Sequence, residues 1–135
     1  MTTPSLTGLN DDERVISETA ADFAAKRIAP HALEWDKDKY FPVDVLRESA
    51  ELGMATIYCR EEFGGSGLRR LDAVRIFEQL AFADPVIASF ISIHNMCAWM
   101  IDTYGTDSQR RMWIPRLATM DSIASYSLTE PGPGS

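Results

Sequence analysis

The stretch Tyr126-Ser-Leu-Thr-Glu-Pro-Gly-Pro-Gly-Ser135 gathers groups that could meet a bound molecule. Gly132 and Gly134 let the main chain approach a ligand with no side chain in the way, and the hydroxyls of Thr129 and Ser135 can donate or accept beside it. Just upstream, Ala124, Tyr126 and Leu128 alternate with Ser125 and Ser127, which predicts a short strand over 122–128 running into the Pro/Gly loop. A strand followed by a loop with exposed backbone is suited to the lip of a cofactor site. It is also what an ordinary strand and turn would look like.

Other chemistry-bearing residues are scattered. The loop Glu61-Glu-Phe-Gly-Gly-Ser-Gly67 is glycine-rich, but it matches neither phosphate-binding spacing, has no following lysine and carries two carboxylates, so it reads as a flexible connection. His94 lies in an apolar run with only His31 as company, which favours a hydrogen-bonded core histidine over a metal ligand, and no metal site is expected. Cys59 and Cys97 fit no metal or redox spacing, so no disulfide is expected and a reducing, cytoplasmic compartment follows. The first ten residues carry neither a secretory signal nor an Arg-rich transit pattern. With 20 acidic against 13 basic residues, net −7, the chain lacks the positive surface that nucleic acid or an anionic membrane would require. The pairs Arg69-Arg70 and Arg110-Arg111 read as solvated helix ends.

The elements that must position these residues are helical. Asn10 can cap a first helix, with Glu13 placed for the reciprocal bond of a capping box and Ile16, Ala20, Phe23, Ala24, Arg27 and Ile28 along one face until Pro30. Beyond a charged piece anchored by Trp35, Phe41-Pro42 opens a second helix over 43–52, which Gly53 closes. An extended piece over 55–59 leads into the glycine loop. The next helix, from about Leu71 to Ala83, is predicted to bury Leu71, Val74, Phe77, Leu80 and Ala81, and Asp84-Pro85 ends it. Val86 to Ile101 contains no Asp, Glu, Lys or Arg, which predicts the central helix of a bundle, buried nearly all round. The run is too short for a bilayer and includes Ser89, Ser92, His94 and Asn95, so no membrane span is expected. Thr106 or Asp107 should cap a last helix with Met112, Trp113, Leu117 and Met120 inward, kinked or split at Pro115.

With Phe41-Pro-Val-Asp-Val45, Glu62-Phe-Gly-Gly-Ser-Gly67, Ile91-Ser-Ile-His-Asn-Met-Cys-Ala-Trp-Met-Ile101, Tyr104-Gly105 followed by Gln109-Arg110, and the Tyr126 to Ser135 signature, the chain resembles the acyl-CoA dehydrogenase family over nearly its whole length. The His94-Asn-Met-Cys-Ala-Trp-Met-Ile101 run is most similar to the isobutyryl-CoA branch, which acts on short branched chains from valine breakdown. Pro133 departs from the pattern, standing where the family has a small residue. Its fixed backbone angle and missing N–H would alter how the loop meets a cofactor.

The resemblance implies an all-α N-terminal bundle over 1–121 and the first strand of a truncated β domain over 122–135. The C-terminal helical domain, which carries the catalytic glutamate, is absent. It implies α,β-desaturation of an acyl-CoA with FAD as cofactor, electron-transfer flavoprotein as the partner that reoxidises it, and a homotetramer at full length. Tyr126, Ser127, Leu128 and Thr129 would contact the flavin, and Ser135 cofactor or substrate. Ser89 and Ser92 would border the acyl pocket, and the glycine loop would lie near the acyl-CoA. No catalytic residue falls within this chain, so the 135 residues alone are expected to be inactive. A truncated helical module without enzymatic activity and a related oxidase remain the alternative readings.

Overall fold

The computed structural model describes residues 9–129, 131 and 132. Its first helix, α1 (Asp11–Phe23), starts as the sequence predicts: the Asn10 side chain accepts from the Glu13 N–H at 2.9 Å, and the Glu13 carboxylate accepts from the Asn10 N–H at 3.0 Å. A single π-helical turn, Ala24–Ile28, widens the end before Pro30 stops it. Along this face Ala20, Phe23, Ala24 and Ile28 are buried, while Arg27 stays exposed and pairs with Glu48. The charged piece that follows is itself a short helix, α2 (Ala32–Asp38), which Lys39 ends in the left-handed region. Helix α3 (Val43–Glu51) stops at Leu52, and Gly53, at φ +79°, turns the chain inward.

Residues 54–59 are the least expected part of the core. Met54, Ala55, Thr56, Ile57 and Cys59 are all buried although the backbone there is irregular. Buried peptide groups need partners, and the glycine loop supplies several. Ser66 N–H donates to Thr56 O at 2.9 Å, Gly67 N–H to Cys59 O at 2.9 Å and Leu68 N–H to Ile57 O at 2.8 Å. The loop opens with a 3₁₀ turn, Glu61–Phe63, that plants Phe63 in the interior. It is therefore a pinned strap against 54–59, not the flexible connection its composition predicts. At Gly65 any Cβ would overlap the Cys59 carbonyl.

Three further helices complete the bundle: α4 (Arg70–Ala83), α5 (Pro85–Tyr104) and α6 (Asp107–Ala118). Helix α4 lies between α1 and α5, and α6 packs on α5. The core between them includes Leu46, Ile57, Leu80, Ile87 and Ile91.

Three burial expectations are corrected. On α4, Leu71, Val74 and Ala81 face outward, and the buried face carries Asp72, Ala73, Ile76, Gln79 and Leu80. Asp72 and Glu13 share Arg69 and Arg75 across the α1–α4 contact, so paired charges occupy the side where apolar spacing predicted leucine and valine. On α5, Val86, Phe90 and Ile93 are exposed, so the helix is buried on one side and not all round. On α6, Met112 and Trp113 point out while Ile114, Leu117 and, just beyond the helix, Met120 are buried. Pro115 does not split α6, which is one continuous helix. Residues 122–128 form no strand among the described residues, because a strand exists only through a paired neighbour and none is present here.

Candidate functional site

Helix α5 is the element from which the candidate site is built. Asp84 caps it, accepting from the Val86 N–H at 2.8 Å, and Pro85 occupies its first turn, where a missing N–H costs nothing. Three buried polar side chains, His94, Asn95 and Asp102, then stand on a mostly apolar helix. Asn95, fully buried, accepts from the Ile57 N–H at 2.7 Å and donates to Met54 O at 2.7 Å and to Ile91 O at 2.8 Å. Seven residues on, Asp102 accepts from the Arg60 N–H at 3.2 Å and from its guanidinium at 3.1 Å. The two side chains hold the irregular segment 54–60 from the α5 side, as the glycine strap holds it from the other. Both were missed in the sequence, although an amide inside the most apolar run of the chain was a usable signal, since it must find partners there.

His94 works in the other direction, toward α6. It is fully buried; Nε2 lies 2.9 Å from Leu117 O, and Nδ1 lies 3.1 Å from the Ala124 nitrogen. A peptide N–H can only donate and a carbonyl can only accept, so Nδ1 is bare and the proton sits on Nε2. Burial pushes the pKa of the ring down, against the opposing pull of the Leu117 carbonyl. The expectation of a hydrogen-bonded core histidine is met. Arg47 Nε donates to Met120 O at 3.3 Å and Ser122 N–H to Arg116 O at 3.2 Å, so the chain is fixed where α6 ends and the last segment begins.

From Ser125 to Thr129 this segment makes no hydrogen bond to the bundle among the described residues. Tyr126, Ser127, Leu128 and Thr129 are exposed, and among the described residues no backbone hydrogen bond is made by Ser125 to Thr129. Among the described residues the Thr129 hydroxyl is likewise without a hydrogen bond. Glu130, Pro133, Gly134 and Ser135 lie outside the described residues. Ser89 and Ser92 sit near the start of α5, in a groove of about 330 Å³ shared with Phe77, Ala81, Ala88 and Ile93. The Ser89 hydroxyl is already engaged with Pro85 O at 2.8 Å. That groove contains none of Tyr126 to Thr129, so the structure does not bring the two predicted sets together.

Both cysteines are free and buried. Burial pushes Cys59 up to about 12, helped by the nearby Asp102 carboxylate, and burial raises Cys97 as well. Among the described residues no group of His, Cys, Asp and Glu could hold a metal ion, and no helix is long and apolar enough to cross a membrane.

Residues 10–121 match the model of the acyl-CoA dehydrogenase N-terminal domain. The chain belongs to the acyl-CoA dehydrogenase family. It is 56% identical over 128 residues to the mitochondrial isobutyryl-CoA dehydrogenase of Dictyostelium discoideum, covering 95% of this chain and 31% of that protein. It is 46% identical over 132 residues to the mitochondrial isobutyryl-CoA dehydrogenase of Bos taurus, covering 98% and 32%. Among solved structures, a glutaryl-CoA dehydrogenase from Mycobacterium smegmatis in complex with FADH2 superposes with a TM-score of 0.85 at 29% identity, over 91% of this chain and 32% of that one. The chain thus spans about a third of the length of these relatives.

Proposed function

We propose that these residues form the N-terminal part of an FAD-dependent enzyme that desaturates a short branched-chain acyl-CoA, isobutyryl-CoA or one very like it, in valine breakdown. The 56% identity to an isobutyryl-CoA dehydrogenase along nearly the whole chain carries this reading. The domain boundary falls near residue 121, where the family match ends and the chain leaves α6. Residues 122–135 then begin the middle β domain, and Ser125 to Leu128, with no backbone hydrogen bond among the described residues, are available to pair once a strand's neighbours are supplied.

In this proposal Tyr126, Ser127, Leu128 and Thr129 line the flavin. The fit is supported by their exposed backbone, which makes no hydrogen bond among the described residues and can lie along a flat ring and hydrogen-bond to its polar edge. Ser135 contacts cofactor or substrate, and Ser89 and Ser92 border the acyl chain. Bound FAD supplies the hydride acceptor of the desaturation. What this chain adds is placement: a segment anchored at Ala124, an apolar α5 whose exposed Val86, Phe90 and Ile93 leave surface for the remaining domains, and no proton-removing carboxylate. That base belongs to the C-terminal helical domain. Electron-transfer flavoprotein takes the electrons, and the full-length protein is a homotetramer. A cytoplasmic location rests on the two unpaired, buried cysteines, while both relatives above are mitochondrial by name, so cell fractionation decides it.

The test is turnover of purified full-length protein with isobutyryl-CoA and straight-chain butyryl-CoA, using a dye as electron acceptor. Faster turnover of the branched substrate is expected, with none from the 135-residue chain. Preference for butyryl-CoA would overturn the substrate, and dye-independent turnover with oxygen would make the protein an oxidase.

A further inference from the structure

Between Leu117 and Ala124 the chain leaves the helical bundle, and one ring touches both ends of that departure. His94 Nε2–H donates to Leu117 O in the last turn of α6, and its Nδ1 accepts from the Ala124 N–H. Ala124 is half-buried against the cluster of Cys59, Ala98 and Leu117. Two residues later Tyr126 is already exposed, with no bond to the bundle among the described residues. The direction in which 125–129 sets out is therefore fixed at Ala124, and the side chain that fixes it stands on the central helix, 30 residues earlier in sequence.

We propose that His94 is a positioning residue for the Tyr126 to Thr129 segment, its neutral ring bonding α6 at one nitrogen and the Ala124 N–H at the other. That the positioned segment is the one that meets flavin rests on the function proposed above; the latch itself does not. The two nitrogens have separable tasks. Glutamine at 94 can place an amide N–H near the Nε2 position and keep the bond to Leu117 O, but leaves nothing for Ala124. Asparagine can place its Oδ1 near the Nδ1 position and keep the acceptor for Ala124, but cannot reach Leu117. A residue that merely fills space would not distinguish them.

The experiment is amide hydrogen exchange by NMR on the 135-residue chain without flavin, for wild type, His94→Gln and His94→Asn. The Ala124 amide is expected to exchange about tenfold faster in the glutamine variant, the size of one net hydrogen bond, and to stay within about twofold of wild type in the asparagine variant. Amides of α5 serve as the control for folding. Equal Ala124 rates in wild type and His94→Gln, with α5 protected, would overturn the latch. If the glutamine variant does not fold, ¹⁵N spectra of the wild-type ring decide: proton on Nε2 and a coupling from Nδ1 to the Ala124 amide support the latch, and proton on Nδ1 overturns it. In full-length protein, His94→Gln is expected to weaken FAD retention about tenfold and His94→Asn to restore it. A loosened Ala124 with unchanged FAD retention would overturn the positioning role, whereas a wild-type protein that binds no flavin would overturn the function proposed for the segment and leave the Ala124 result standing.

Discussion

Asn95 shows how much one buried side chain can carry. It satisfies two peptide groups of an irregular segment that water cannot reach, the Ile57 N–H and the Met54 carbonyl. Asn95→Ala should therefore cost about 2–4 kcal/mol, two desolvated groups left without partners, read as a lower urea midpoint at unchanged slope. His94 makes stability depend on pH. Its folded pKa lies below the ordinary 6.5, so its contribution is complete above that value and is lost as pH falls from there through the folded pKa, because the unfolded chain then binds the extra proton. The thermal midpoint should fall between about pH 7.5 and about pH 5.5, and the fall should shrink in His94→Asn. Glu13 acts in a lower window. Hydrogen bonds from the Asn10 backbone, Arg69 and Arg75 hold its carboxyl down to about 2, so its stabilisation is present above 4.5 and disappears as pH drops toward 2. Glu13→Gln should remove only that later step. The capping pair of Asn10 and Glu13 was legible because its geometry is local, three residues apart on one turn. The links of Glu13 to Arg69 and Arg75 were not, since nothing in the spacing of residues so far apart says that they meet.

Among the elements, the glycine strap is where composition misled most. Glycine frees the backbone in isolation, yet Gly65 is required because a Cβ there would overlap the Cys59 carbonyl. Gly65→Ala should force 54–59 and 61–67 apart and cost upwards of about 2 kcal/mol by denaturant titration. Raised exchange should be confined to the Ser66, Gly67 and Leu68 amides. Helix positions themselves could be read from Asn10, Asp84-Pro85 and Thr106, which cap or start helices by near-neighbour bonds. Helix faces could not always be read. The apolar period of α4 pointed at Leu71 and Val74, but the charges of Asp72 and Glu13 are tolerated inside because Arg69 and Arg75 neutralise them there. In α6, Pro115 lacks only the one N–H that would bond back toward Arg111, and the helix runs through it.

At the scale of the molecule, one core joins α1, α3, α4 and α5 with the irregular segment 54–57, and Ile91 lies inside it at 0% exposure. Ile91→Ala should cost about 2–5 kcal/mol and lower the melting temperature of the whole bundle as one transition. The all-helical class, the places of the longer helices and the family were determined by the sequence itself, because capping residues, Gly and Pro boundaries and motif spacing act over a few residues and survive without a fold. The tertiary structure alone decided which sides of α4, α5 and α6 are covered and that the glycine loop is pinned. It also decided that one buried histidine joins α6 to the start of the exposed segment. These depend on partners tens of residues away, and a buried polar group is stable only once those partners have arrived.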